Sequence, residues 1–279
     1  LTPVLAEPEA LTSNLDIHKA SRLVGSRTRA IMPVHLYGRV CFSEELADMA
    51  TRHNLLIIED NAQAIGATPD VAGLYGTHAT GGLGHAAGLS FYPTKNVGAL
   101  GDAGIVTTHD PELAATVRAL ANYGADRRYH NLYCGFNCRM DSIQAAMLMV
   151  KLSHLDEEND YRRHIASVYC SAITNPDISL PAFTPDCVFH QFVVHTPHRE
   201  AFTAWLDANG IGWDMHYATP PHRQPCYMQP RPTNAPVLPP DGLPVTERLA
   251  DTCVSLPISR CTSPDDAHRI AEIINGFQP

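Results

Sequence analysis

The chain has 279 residues, 44% hydrophobic and 18% charged, the size and balance of a soluble globular protein with one large or two modest domains. A formal net charge of -9 with no basic run excludes a nucleic-acid surface, and no apolar run reaches membrane-spanning length. A small-molecule partner is expected. Eight scattered cysteines without a secretory leader read as reduced thiols in a cytoplasmic protein. Cys134 and Cys138 near His130 match no common zinc spacing and lack a second ligand pair, so no metal is expected.

From the N-terminus, short apolar runs alternate with helical text. Strands are expected over 30–36, 55–59, 86–92 and 105–108, with a helix from Ser43 to Arg52 that opens on a hydroxyl cap followed by Glu44 and Glu45. This alternation predicts an α/β fold with a mostly parallel sheet. The close spacing of the last two runs suggests that one strand is antiparallel. Gly81, Gly82, Gly84 and Gly88 precede a strand and do not join strand to helix, so they read as turn residues, not a dinucleotide loop.

Helical spacing recurs over 111–123 and 141–155, with Met140, Ile143, Ala146, Met147 and Val150 able to share a core or interface face. Helical text continues from Glu157 to Ile173, after which Pro176, Pro181 and Pro185 mark a change of character. A boundary near Leu152 divides the chain into 1–152, a partial large cofactor-binding domain, and 153–279, a small C-terminal domain. The latter carries a strand over 188–196 and helices over 199–209 and 264–277. Between them, 220–244 is proline-rich and reads as an irregular loop.

Two segments carry chemistry. Ser90-Phe91-Tyr92-Pro93-Thr94-Lys95-Asn96 contains one of only three lysines, and Glu59-Asp60-Asn61-Ala62-Gln63 closes the apolar run at 55–58. Pyridoxal phosphate needs an amine for a Schiff base, a carboxylate for its pyridine nitrogen and donors for its phosphate. Both segments offer such groups at strand ends, where open α/β sheets bind ligands. Each also has a plain structural reading: acids after an apolar run cap the next helix, and a lysine after a Tyr-Pro turn is solvated.

The flanking text extends the match: Pro33-Val34-His35-Leu36-Tyr37-Gly38, Gly98-Ala99-Leu100-Gly101-Asp102-Ala103-Gly104, Gly135-Phe136-Asn137-Cys138-Arg139-Met140-Asp141 and Gln144-Ala145-Ala146. Together these resemble the DegT/DnrJ/EryC1/StrS family of sugar aminotransferases, from about Pro3 almost to the C-terminus. The resemblance implies the type I fold of pyridoxal phosphate-dependent transferases, a mostly parallel sheet flanked by helices with a smaller α+β C-terminal domain. It implies Lys95 as the Schiff-base lysine and proton carrier, Asp60 at the pyridine nitrogen, Gln63 near the ring and Ser90 on the phosphate. Asn137 would reach the phosphate of a neighbouring subunit in a homodimer with shared sites. His216, Tyr217 and His222 would border the sugar, although histidines among prolines are commonly surface residues.

The implied reaction moves an amino group from glutamate or glutamine to the ketone of a nucleotide-linked sugar or cyclitol, in the synthesis of cell-surface glycans or antibiotic sugars. The family also has a block before the equivalent of Pro3, including a glycine-threonine turn that binds the cofactor phosphate. The chain is therefore expected to be a fragment. The alternatives are another type I reaction, of lyase or aldolase kind, and a catalytically incompetent interaction remnant.

Overall fold

A computed structural model describes residues 1–228 and 235–279. In chain order its elements are α1 (Ile17–Ser21), β1 (Ala30–Ile31), α2 (Glu44–Arg52), β2 (Leu56–Asp60), β3 (Ala86–Ser90), β4 (Gly104–Thr108), α3 (Pro111–Ala121), β5 (Ala125–Arg127) and β6 (His130–Asn131). There follow α4 (Ser142–Leu152), α5 (Leu155–Ala172), β7 (Phe192–His195), α6 (Arg199–Ala208), α7 (Pro244–Thr252), β8 (Cys253–Leu256) and α8 (Pro264–Asn275). Two compact units result: Arg29–Asn159, and Leu1–Thr28 with Asp160–Pro279. This grouping differs from the expected 1–152 and 153–279 chiefly in where Leu1–Thr28 falls.

The unit Arg29–Asn159 is built on a four-stranded sheet in the order β1-β2-β3-β4. The first two pairings are parallel, and β4 runs antiparallel to β3, as the short spacing between those runs predicts. Strand β1 is much shorter than the expected 30–36. Pro33 has no N–H for a ladder, and Tyr37 takes a left-handed φ of 60° in a 3-10 turn over Leu36–Gly38, so only Val34 continues the pairing, with Asp60. Helix α2 begins as expected: the Ser43 hydroxyl accepts from the Leu46 N–H, and Leu46, Met49 and Ala50 are buried.

Helix α4 divides its apolar residues between the core and the surface. Leu148 enters a cluster with Phe91, Val97 and Ala99, against which Met140, Leu152 and Leu155 pack. Ile143 and Val150 are 73% and 64% exposed, so most of the anticipated stripe points outward. A helix rotation of about 100° per residue separates the Leu148–Leu152 side from it.

The other unit pairs β7 and β8 antiparallel, from Phe192 opposite Leu256 to His195 opposite Cys253. Its core joins Tyr169 of α5, Phe189, Phe192 and Val194, Phe202 and Leu206 of α6, and Ile270 and Ile274 of α8. Burying one such aromatic side chain contributes about 1.5–3 kcal/mol. Helix α8 opens on a capping box in which Ser263 and Asp266 satisfy each other's backbone N–H. The expected strand over 188–196 is cut to four residues because Phe189 has φ 43°.

Helix α7 and strand β8 have no forerunner in the sequence analysis. Pro244 reads as the end of a loop, yet it sits in the first turn of α7, where a missing N–H costs nothing. All four residues of β8 are buried, so its text lacks the alternation that marks a half-buried strand. Within the proline-rich stretch, residues 221–223 and 225–227 form 3-10 turns, and 229–234 lie outside the described residues.

Candidate active site

Strands β2 and β3 lie side by side with Asp60 opposite Gly88, so Asp60 and Ser90 occupy the C-terminal ends of adjacent parallel strands. Asp60 is anchored by its backbone: its N–H donates to the Pro33 carbonyl at 2.9 Å and its carbonyl accepts from the His35 N–H at 3.0 Å. Its side chain accepts from the Ala62 N–H at 3.1 Å. Gln63 is buried, and its Oε1 accepts from the Tyr37 N–H at 2.6 Å. The loop after Asp60 is thereby tied to the left-handed turn before it.

The loop after Ser90 closes on itself. The Lys95 N–H donates to the Tyr92 carbonyl at 2.8 Å, a turn with Pro93 at its second position, and the Ala99 N–H returns to the Phe91 carbonyl at 2.8 Å. Gly98 permits this closure, since a Cβ there would lie 2.1 Å from the Pro93 carbonyl oxygen. Lys95 is partly buried. Burial lowers the proton affinity of its amine, and the Asp60 carboxylate opposes that shift without cancelling it. The Ser90 hydroxyl accepts from the Tyr92 N–H at 3.3 Å.

Beneath these residues lies a charged hub that the sequence analysis did not single out. Glu59 is buried and accepts from the N–H groups of Gly81, Leu83 and Gly84, each at 2.8 Å. Its Oε2 also lies 2.8 Å from His35 Nε2. The Cys41 N–H donates to His35 Nδ1, which leaves Nε2 to carry the imidazole proton toward Glu59. Burial raises the Glu59 pKa, but the His35 and backbone hydrogen bonds outweigh it, so the carboxyl titrates below its usual range. The four donors come from residues up to 25 positions away, a convergence that no local pattern announces.

Asp60, Gln63, Ser90 and Lys95 all belong to the unit Arg29–Asn159. Asn137 belongs to it too but is exposed, beside the bridge it forms with Asn122. His216, Tyr217 and His222 belong to the other unit. There His216 Nδ1 lies 2.7 Å from the Ser255 hydroxyl, in an open cavity that Gln191, Trp213 and Asp214 also line. Tyr217 is exposed, and His222 Nε2 lies 3.0 Å from a Glu247 carboxylate oxygen. No group of three metal-ligating side chains occurs among the described residues, and none of their helices is long and apolar enough to cross a membrane.

An amine of lowered proton affinity in the loop after β3 and a carboxylate at the end of the neighbouring strand β2 fit a pyridoxal phosphate-dependent transferase of the type I fold. Solved structures agree. The Streptomyces venezuelae protein DesV, seen in complex with a ketimine intermediate, superimposes with a TM-score of 0.88 at 39% identity over 98% of this chain and 71% of its own. A DegT DnrJ EryC1 StrS aminotransferase from Brucella abortus gives 0.88 at 32% identity over 99% and 73%.

The chain belongs to the DegT/DnrJ/EryC1/StrS aminotransferase family, whose family model matches residues 1–275. It is 44% identical over 278 residues, 99% of its length and 73% of the relative's, to dTDP-3-amino-3,6-dideoxy-alpha-D-galactopyranose transaminase of Aneurinibacillus thermoaerophilus. It is 40% identical over 277 residues, 98% and 70%, to dTDP-3-amino-3,4,6-trideoxy-alpha-D-glucose transaminase of Streptomyces venezuelae. It is thus an aminotransferase, and its cofactor is pyridoxal 5'-phosphate. The donor set fits that group: Lys95 supplies an amine already biased toward its free form, and Asp60 supplies the carboxylate.

Proposed function

We propose that this aminotransferase moves the amino group of L-glutamate or L-glutamine onto the keto carbon of a nucleotide-linked sugar or related cyclitol, with Lys95 and Asp60 at the centre of the chemistry. The observation that carries the assignment is the partly buried amine of Lys95 in the field of Asp60, in one compact unit. The transaminase names of the relatives at 44% and 40% identity support a dTDP- or similarly linked sugar as acceptor. They favour transamination over lyase or aldol chemistry.

Bound pyridoxal phosphate supplies an electron sink for the carbanion left when the α-proton departs. Lys95 would hold the cofactor through its amine and, when that amine is free, would serve as the residue that takes up and returns the substrate's α-proton. Burial lowers the proton affinity of that amine, a shift in the direction that favours its work as nucleophile and base. Asp60 would accept a hydrogen bond from the pyridine N–H and so would favour the charged form of that nitrogen. Gln63, its Oε1 held by the Tyr37 N–H, would stand near the ring, and the Ser90 hydroxyl would donate to the phosphate. Donor amine and acceptor ketone exchange nitrogen for oxygen, so no external oxidant enters.

A homodimer completes this reading. Asn137 is exposed and is assigned to the phosphate of the neighbouring subunit, while His216, Tyr217 and His222 are assigned to the sugar. Ile143, Met149 and Val150 of α4, 73%, 69% and 64% exposed, supply apolar surface of the kind that subunit interfaces cover. The expected setting is the cytoplasm. Initial rates with L-glutamate and a keto nucleotide-sugar test the assignment: parallel double-reciprocal lines and an amino-sugar product support it, whereas intersecting lines or a cleaved product contradict it.

A further inference from the structure

Asn159, in α5, is 1% exposed and sits between the two loops that carry the proposed chemistry. Its Oδ1 accepts from Asn96 Nδ2 at 2.9 Å, and its Nδ2 donates to the Ile65 carbonyl at 3.0 Å. A carbonyl can only accept, so the Ile65 contact fixes which way the Asn159 amide faces, and the Asn96 contact follows. Asn96 is the neighbour of Lys95, and Ile65 lies two residues past Gln63 and five past Asp60. One side chain therefore joins both loops.

The surroundings leave this amide little freedom. Gly66 has φ +80°, and a Cβ there would lie 2.7 Å from Asn159 Nδ2, so the Ile65–Gly66 backbone presses directly on the amide. The far side of the lysine loop is held from α4, where Lys151 Nζ donates to the Gly98 carbonyl at 2.6 Å and Gln144 Oε1 accepts from the Leu100 N–H at 2.9 Å. With that side pinned, the Asn96–Asn159–Ile65 relay ties the lysine loop to the Asp60 loop by hydrogen bonds, beside the packing of Ile65 on the cluster of Phe91, Val97 and Ala99.

We propose that Asn159 is a positioning residue for transamination, holding the Lys95 loop at a set distance from the Asp60–Gln63 loop through Asn96 and Ile65. The proposal rests on the assignment of Lys95 as the reactive amine. Asn159 touches no reacting atom and acts through the seating of Lys95, whose degree of burial and distance from Asp60, the charged group that acts on it, follow from the loop spacing.

The test uses the full chain with two variants: Asn159→Leu, which keeps the branched shape and removes both hydrogen bonds, and Asn96→Ala, which removes one and leaves Asn159 in place. Lysines occur only at 19, 95 and 151, so competitive acylation across a pH series, read by peptide mass spectrometry, gives the midpoint of each amine without cofactor. Lys19 is the internal reference. In both variants the Lys95 midpoint is expected to rise toward that of an ordinary lysine as the amine loses its burial, with Lys19 unmoved. With pyridoxal phosphate added, the pH midpoint of the Schiff-base absorbance is expected to move as well.

An unchanged Lys95 midpoint in Asn96→Ala overturns the proposal whatever happens to the melting temperature, because it leaves Asn159 a packing residue only. If Asn159→Leu does not fold, Asn96→Ala alone decides. Failure of the underlying assignment looks different: the unaltered chain would then form no Schiff base at Lys95, while acylation would still report the amine's seating.

Discussion

The two compact units spend their buried volume differently. Leu1–Thr28 with Asp160–Pro279 closes an aromatic core of Tyr169, Phe189, Phe192 and Phe202, while Arg29–Asn159 buries Glu59, His35, Asn61, Gln63 and Asn159 and leaves Leu100, Phe136, Ile143, Met149 and Val150 exposed. Both units bury polar side chains, Glu7 and His190 in the first as Glu59 and His35 in the second, but the second leaves many more large apolar side chains exposed, and each feature costs stability unless the polar groups are paired and the apolar ones are covered. Glu59 shows the pairing, with four donors on one carboxylate.

The two largest expected effects are alike in stability and should differ in the spectrum of the bound cofactor. Phe192→Ala in the aromatic core should cost about 3–5 kcal/mol of unfolding free energy. Glu59→Ala should cost a similar amount, about 3–5 kcal/mol, because a buried imidazole N–H and three backbone N–H groups lose their acceptor. Only the second should also disturb the absorbance of the bound cofactor, since Glu59 is the residue before Asp60. Equal spectra for the two variants would show that the polar hub is scaffold alone. Glu59 also brings an acid limit: its folded pKa is depressed, so its stabilisation is present above the unfolded value and is lost as pH falls through the folded one.

A medium effect separates the other unit by pH. His195, bonded to the Thr252 hydroxyl at 2.9 Å, has its pKa lowered to about 4 by burial and then by Arg248. The unfolded chain binds this proton at about pH 6.5 and the folded chain only near 4, so stability is full above 6.5 and falls as pH drops toward 4. His195→Gln should flatten that slope in urea melts taken between pH 4 and 7. A slope that persists unchanged would assign the acid sensitivity to other groups.

The smallest expected change in stability carries the interface reading. Ile143→Glu, at a side chain 73% exposed, should alter the unfolding free energy of the isolated chain by no more than about 0.5 kcal/mol yet shift a dimer toward monomer in sedimentation. Unchanged assembly would remove α4 from the interface.

Much of the sheet was legible because its runs obey local rules. Ser43 caps its helix and the 86–108 pair is too closely spaced for a crossover, so both appear as expected. The segments proposed to be reactive could be singled out because Lys95 and Asp60 stand beside apolar runs in a text that matches the family. What stayed hidden depends on distance along the chain. Glu59 and Asn159 draw their partners from 22 to 25 and from 63 and 94 residues away, and no periodicity encodes such meetings. The α4 stripe left core and interface open because helical spacing fixes which residues share a face, not what covers that face. Strand β8 was missed because a fully buried strand has no alternation.

The most direct test of the account is the visible absorption spectrum of the purified chain with pyridoxal phosphate, before and after L-glutamate, beside Lys95→Ala. The account predicts a Schiff-base band that fades when glutamate is added and is absent from the variant. A band that persists in Lys95→Ala, or no band in the unaltered chain, would contradict the assignment of Lys95 as the residue that carries the cofactor.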